Sequence, residues 1–144
     1  MRKRPLLFAA LVAAVGFCYF SAYVGYGINF EDEGTLLYQI ERTADGQTPY
    51  KDFHIGYTPA IYYVHAAVMR TFGYNIMPGR WLLVGVNVAS LFFLTLLAVR
   101  VAPLWLAWLP AVFYMVSIPV HPGAFAAFNI PYPVWYNVLC FTAG

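Results

Sequence analysis

The chain has 144 residues, 62% of them hydrophobic and 10% charged, with a formal net charge of +2. Soluble domains run nearer about 45–50% apolar and about 25% charged, and a chain this short buries the smallest fraction of its surface, so a soluble single-domain enzyme, a disordered chain and a secreted disulfide scaffold are excluded. The eight basic residues form no extended run, which excludes a nucleic-acid partner, and an integral membrane protein is the reading that remains.

In chain order, the first element is an apolar stretch from Leu6 to Ile28, preceded by Arg2, Lys3 and Arg4. It reads as a retained helical span. It is long for a signal-peptide core, and Phe20-Ser21-Ala22 puts a bulky side chain where cleavage needs a small one. Cys18, like Cys140 near the other end, lacks metal-ligand spacing and is expected to be an inert buried thiol. All six acidic residues come next in one window: Glu31, Asp32, Glu33, Glu41, Asp45 and Asp52. Residues 29–79 therefore form a loop outside the bilayer core.

That loop has helical pattern of its own. Leu36, Leu37 and Ile40 make an apolar stripe in a helix expected from Glu33 to Ala44, and Asp45-Gly46 stops it. A second helix is expected from Pro59 to Phe72, with Thr58 as its cap and Gly73 beyond its end. Its face of Ile61, Tyr62, His65, Val68, Met69 and Phe72 suits a helix lying on the membrane surface. Gly46 to Tyr57 reads as an ordered polar connector.

Further spans are expected at Trp81–Val99, between Arg80 and Arg100, and at Leu104–Val120, with Pro103 at its start and Pro110 as a kink. A last apolar run from Val134 to Gly144 is half a span, as in a truncated chain. The fold class is thus all-α: a polytopic membrane helical bundle with two membrane-parallel amphipathic helices in its first outer loop. The bias of Lys and Arg before the first span puts the N-terminus in the cytoplasm, and residues 29–79 with the His121–Pro133 loop outside.

The triplet Glu31-Asp32-Glu33 needs explaining, because three carboxylates in lipid would cost on the order of 8–10 kcal/mol. Either Asp32 caps the first loop helix while its neighbours solvate the start, or the cluster faces a polar substrate. Arg42, Lys51 and Arg80 can meet a phosphate or snorkel at the interface. Tyr50, Phe53, Tyr57, Tyr62 and Tyr63 can stack on sugar faces or anchor the loop. His54, beside Asp52, leaves room for a divalent metal shared with Asp32 or for a solvated imidazole. His65 is expected to pack or hydrogen-bond on its helix, and His121 to face the second outer loop.

The ordered series Asp32-Glu33-Gly34, Gly46-x-x-Pro49-Tyr50-x-Asp52-Phe53, Gly56-Tyr57-x-Pro59-x-x-Tyr62-Tyr63, Phe72-Gly73 and Arg80 resembles the start of the polyprenyl-phosphate-sugar-dependent C-type membrane glycosyltransferases. These include the family 39 protein mannosyltransferases, the lipid A aminoarabinose transferases and the Rgt-like group. The resemblance implies a sugar donor on a polyprenyl phosphate, a lipid, glycan or protein acceptor, and Asp32 as catalytic base supported by Glu33. It also implies substrate contacts from Arg42, Tyr50, Lys51, Asp52, His54, Tyr57 and Arg80, no obligatory cofactor, and a bacterial cytoplasmic membrane with the acidic loop on its periplasmic or extracellular side. Members have many more spans, so this chain by itself is expected to be inactive. The competing readings are a transporter subunit and a small structural membrane protein. A transporter would place ionisable groups in mid-span, whereas the second and third spans hold only Asn87, Ser90, Thr95 and Ser117 as polar side chains.

Overall fold

The computed structural model describes residues 3–121 and 124–144; Arg2 of the basic N-terminus and Pro122-Gly123 of the second loop lie outside the described residues. The chain order is α1 (Lys3–Tyr23), α2 (Asp32–Ala44), α3 (Ala60–Phe72), α4 (Ile76–Val101), α5 (Leu109–Ser117), β1 (Val120–His121), β2 (Phe125–Ala126), a 3-10 turn (Ala127–Asn129) and α6 (Pro133–Ala143). Among the described residues the protein is mostly helical, and two helices, α1 and α4, are long and apolar enough to cross a membrane.

α4 is the central helix, packed by α1 along one side and by α6, α5 and α3 along others. α1 buries Ala9, Ala13, Gly16 and Phe20, a stripe at helical spacing. Its small residues let the two backbones approach closely. A Cβ on Gly16 would stand 2.1 Å from Leu91 Cδ1 of α4. The rest of α1 is uncovered, with Leu7, Leu11 and Val15 each more than half exposed. Contiguous apolar surface of this kind marks a face that meets lipid or another protein. Cys18 and Cys140 lie on such faces. Both are exposed, against the expectation of burial, because their helices are covered on one side only.

The expected span 104–120 is not one helix. Residues 104–108 form turns, and α5 has 9 residues, about 14 Å of helix. Pro110 sits in the first turn of α5, where its missing N–H costs nothing, so it starts a helix and does not kink one. The expected boundary at Trp81 also moves. α4 begins five residues earlier, where the Asn75 side chain accepts from the Met77 N–H at 2.9 Å, so Arg80 lies inside the helix. The polar side chains of α4 are satisfied locally. Ser90 and Thr95 donate to carbonyls one turn back, and Asn87 donates to Leu83 O and accepts from Tyr114 of α5 at 2.7 Å.

α2 and α3 form a helical pair over a core of Leu36, Ile40, Ile55, Ile61, Tyr62 and Met69, with their C-terminal ends tied together by Arg70, which donates to the carbonyls of Thr43 and Ala44. Gly46 and Gly73, with φ of +95° and +100°, end the two helices as expected. Thr58 makes no cap. Pro59 takes that position in helical geometry with no side-chain hydrogen bond, because proline at the entry already fixes φ. The buried face of α3 includes Ala66 and leaves Phe72 71% exposed.

Gly27 joins the chain end of α1 to the β1–β2 hairpin through a bridge to Phe125. Its φ is +60°, and a Cβ there would lie 1.6 Å from Ala124 O. Gly27→Ala is therefore expected to cost more than about 2 kcal/mol, since backbone strain adds to a clash with a carbonyl that cannot rotate away. Gly25→Ala, with open space around its Cβ, should be nearly neutral. Thermal unfolding of both variants in one detergent checks this, and equal melting temperatures would refute it.

Candidate functional site

The N-terminus of α2 sorts the acidic triplet by role. Asn29 is the cap: its Oδ1 accepts from the N–H groups of Glu31 and Asp32, each at 3.0 Å, and its own carbonyl accepts from Glu33 and Gly34. Asp32, expected as an alternative cap, is thereby released. Its carboxylate is exposed, and its Oδ2 accepts the Tyr132 hydroxyl at 2.7 Å and, more loosely, Asn29 Nδ2 at 3.4 Å. Burial, and then the hydrogen bond to Asp32, push the Tyr132 phenol up from its ordinary value. Tyr132 thus keeps its proton at neutral pH and donates a hydrogen bond to Asp32.

Glu33 does not solvate the helix start. It is 1% exposed and grips Arg80, 4% exposed, through a bidentate pair of 2.8 and 2.9 Å. The same guanidinium donates to Val24 O at 3.1 Å and to Gly27 O at 2.6 Å. Arg80, expected at a phosphate or at the interface, is instead buried with its donors engaged. It locks the start of α2 and the exit of α1 onto α4.

The connector between α2 and α3 is folded by residues for which the resemblance implied substrate contacts. Asp52 Oδ2 accepts from Thr48 N–H at 2.7 Å, closing the turn, and Tyr50, at a φ of 69°, donates its hydroxyl to Tyr57 O at 3.1 Å. Arg42 donates to Gln47 and to Asp52 O, and its guanidinium lies 4.6 Å from the Phe53 ring centre. Gln39 holds the carbonyl of His54, whose side chain is exposed. Lys51 is exposed, and the one ion pair among the described residues is Glu33–Arg80. Among the described residues no three His, Cys, Asp or Glu side chains converge.

Asp32 opens onto a cleft of about 280 Å³ between α2 and the connector, lined also by Glu31, Thr35, Gln39, Tyr57 and Tyr62. Tyr57 meets Tyr132 edge-on with ring centres 6.0 Å apart. So the structure brings Asp32 and Tyr57 to one cleft. It places Tyr50, Asp52 and His54 in the connector, Arg42 on the last turn of α2 bracing it, and Glu33 with Arg80 behind the site. Asn29 and Tyr132 were missed by sequence reasoning. Asn29 carried a usable signal, a strong cap residue three positions before Asp32. Tyr132 carried none, being 100 residues away.

Behind the ion pair lies a second polar pair. His65, 3% exposed, shares a 2.7 Å hydrogen bond between Nε2 and the Tyr136 hydroxyl, and together with Glu33, Arg80 and Asn129 it lines a void of about 10 Å³. Burial pushes the His65 imidazole down to about 4. The folded protein then holds a neutral ring that the unfolded chain protonates from about pH 6.5 downward. Stability from this group is present above about pH 6.5 and is lost as pH falls through about 4, a total of about 3 kcal/mol. His65→Gln, which keeps a hydrogen-bonding partner for Tyr136 but cannot titrate, should flatten the pH dependence of the melting temperature over that window. An unchanged slope would exclude His65 as its source.

Comparison with protein-family models, with curated proteins and with solved structures returns no match.

Proposed function

We propose that this chain carries the catalytic-base loop of a polyprenyl-phosphate-sugar-dependent membrane glycosyltransferase, with Asp32 as the base. In this reading α1 and α4 span the bilayer of a bacterial cytoplasmic membrane, in a polytopic bundle with the N-terminus on the cytoplasmic side. The α2–α3 pair lies along the outer surface, where a lipid-linked sugar arrives at fixed depth. The observation that carries the reading is the division of labour at the start of α2. Asn29 satisfies the helix end and Glu33 is held by Arg80, which leaves the Asp32 carboxylate open to the cleft. A carboxylate in that position can take the proton of an acceptor hydroxyl as its oxygen attacks the anomeric carbon. The carbon–oxygen bond to the carrier phosphate breaks, and the phosphate leaves with the electron pair.

Glu33 acts in this scheme as a positioning residue. It fixes the helix that presents Asp32. Lys51, exposed in the connector, is the cation offered to the departing phosphate. The acceptor is a hydroxyl of a lipid, glycan or protein. The transporter alternative draws no support from α4, whose buried Asn87, Ser90 and Thr95 all bond within the helical core.

The test is sugar transfer from a polyprenyl-phosphate-sugar donor by membranes containing the protein that bears this segment, with Asp32→Asn compared against Glu41→Gln. Loss of transfer in the first variant alone supports the reading. Equal transfer by both removes Asp32 from the base role.

A further inference from the structure

We infer that the cleft beside Asp32 is a binding site for a neutral polyhydroxylated ligand, a saccharide or polyol, anchored at its floor by the buried hydroxyl of Tyr62. This deepens the reading of Asp32 as base and rests on it for the identity of the ligand as acceptor.

Three observations converge. First, Tyr62 is 0% exposed and lines the cleft, yet its hydroxyl meets only the Tyr57 backbone beside it and finds no acceptor for its own proton. A buried polar group in that condition is destabilising, and a ligand hydroxyl would offset that cost. Second, the side chains that Asp32 shares the cleft with are those that bind hydroxyls. Thr35 and Gln39 rise from α2, while Leu36 and the Tyr57 ring offer the apolar surface that a sugar's C–H face needs. Third, the lining contains Glu31 and Asp32 and no cationic side chain. An anionic headgroup would be repelled there, so the carrier phosphate belongs elsewhere and the cleft takes the uncharged partner.

Reaching the Tyr62 hydroxyl requires the connector at residues 56–57 to move outward. Open space lies over that segment, since Tyr57 is 39% exposed and a Cβ on Gly56 would meet nothing within 4 Å; the contacts to be released are the Tyr50 hydroxyl on Tyr57 O and the Tyr132 ring.

Saturation-transfer NMR on the chain in lipid nanodiscs, with methyl α-glucoside as the neutral probe and glucose 1-phosphate as its anionic counterpart, tests the inference without any transfer reaction. The glucoside is expected to bind, and glucose 1-phosphate to bind at least about tenfold more weakly. Tyr62→Phe should weaken glucoside binding about tenfold, while Tyr63→Phe, on the exposed side of α3, should not. Equal binding by Tyr62→Phe and the parent, or phosphate bound as tightly as the glucoside, overturns the proposal. If Tyr62→Phe fails to fold, Thr35→Trp decides: it fills the cleft from an exposed position, and undiminished glucoside binding by that variant is the overturning result. A failed anchor with transfer still lost in Asp32→Asn sinks only this inference. A working anchor with transfer retained in Asp32→Asn sinks only the catalytic reading.

Discussion

Replacing Arg80 by alanine is expected to cost about 3–5 kcal/mol of folding stability, the largest single loss that the structure foresees outside the helix packing. The variant leaves the Glu33 carboxylate buried without a counter-charge. It also strips Val24 O and Gly27 O of the donors that tie the exit of α1 to α4. Glu33→Ala should cost a similar amount, because it orphans a buried guanidinium. The double variant Glu33→Leu with Arg80→Met should recover much of the loss, since an apolar pair in that space needs no desolvation of charge. Denaturation of the parent, Glu33→Leu, Arg80→Met and the double variant in a single detergent supplies the cycle. Additive losses in the double variant would mean that the two side chains act independently, contrary to the bidentate geometry.

Under the proposed base role, Asp32→Asn is expected to lower sugar transfer by the protein that bears this segment by about 10²–10⁴-fold, the range a positioned general base contributes. Membrane insertion and melting temperature should stay close to the parent's. The second half of that expectation follows from the geometry. Asp32 is exposed, and Asn29 does the capping, so the substitution removes neither a cap nor a buried charge. Asparagine can still accept from Tyr132 through its amide oxygen. What it cannot do is take a proton. Transfer assays beside unfolding measurements on the same preparation separate the two effects, and a fall in activity matched by a fall in stability would count against a chemical role.

How much of this was legible in the chain can be judged residue by residue. The two long apolar helices, the α2–α3 pair and their glycine ends follow from hydropathy, period and turn chemistry, which act over a few neighbours. Reading failed at 104–120, where apolar content signalled a span but two prolines and turns shorten the helix to α5. It failed for the thiols too, because burial depends on which helix face finds a partner. The concentration of acids after the first helix was visible at once. Their separate roles were not.

The sequence by itself determined the apolar character of the chain, the helical pair in its acidic loop and the candidacy of Asp32. Local composition and periodicity set the first two, and the candidacy of Asp32 rests on the motif series and the resemblance it carries. Only the tertiary structure decided that Glu33 belongs to Arg80, that Tyr132 donates to Asp32 and that Tyr62 sits without an acceptor beneath the same cleft. Those pairings join residues from 47 to 100 positions apart. A charge or hydroxyl in a one-dimensional string carries no mark of its distant partner. The partner is chosen by packing, which buries one carboxylate against a guanidinium and leaves its neighbour facing open space.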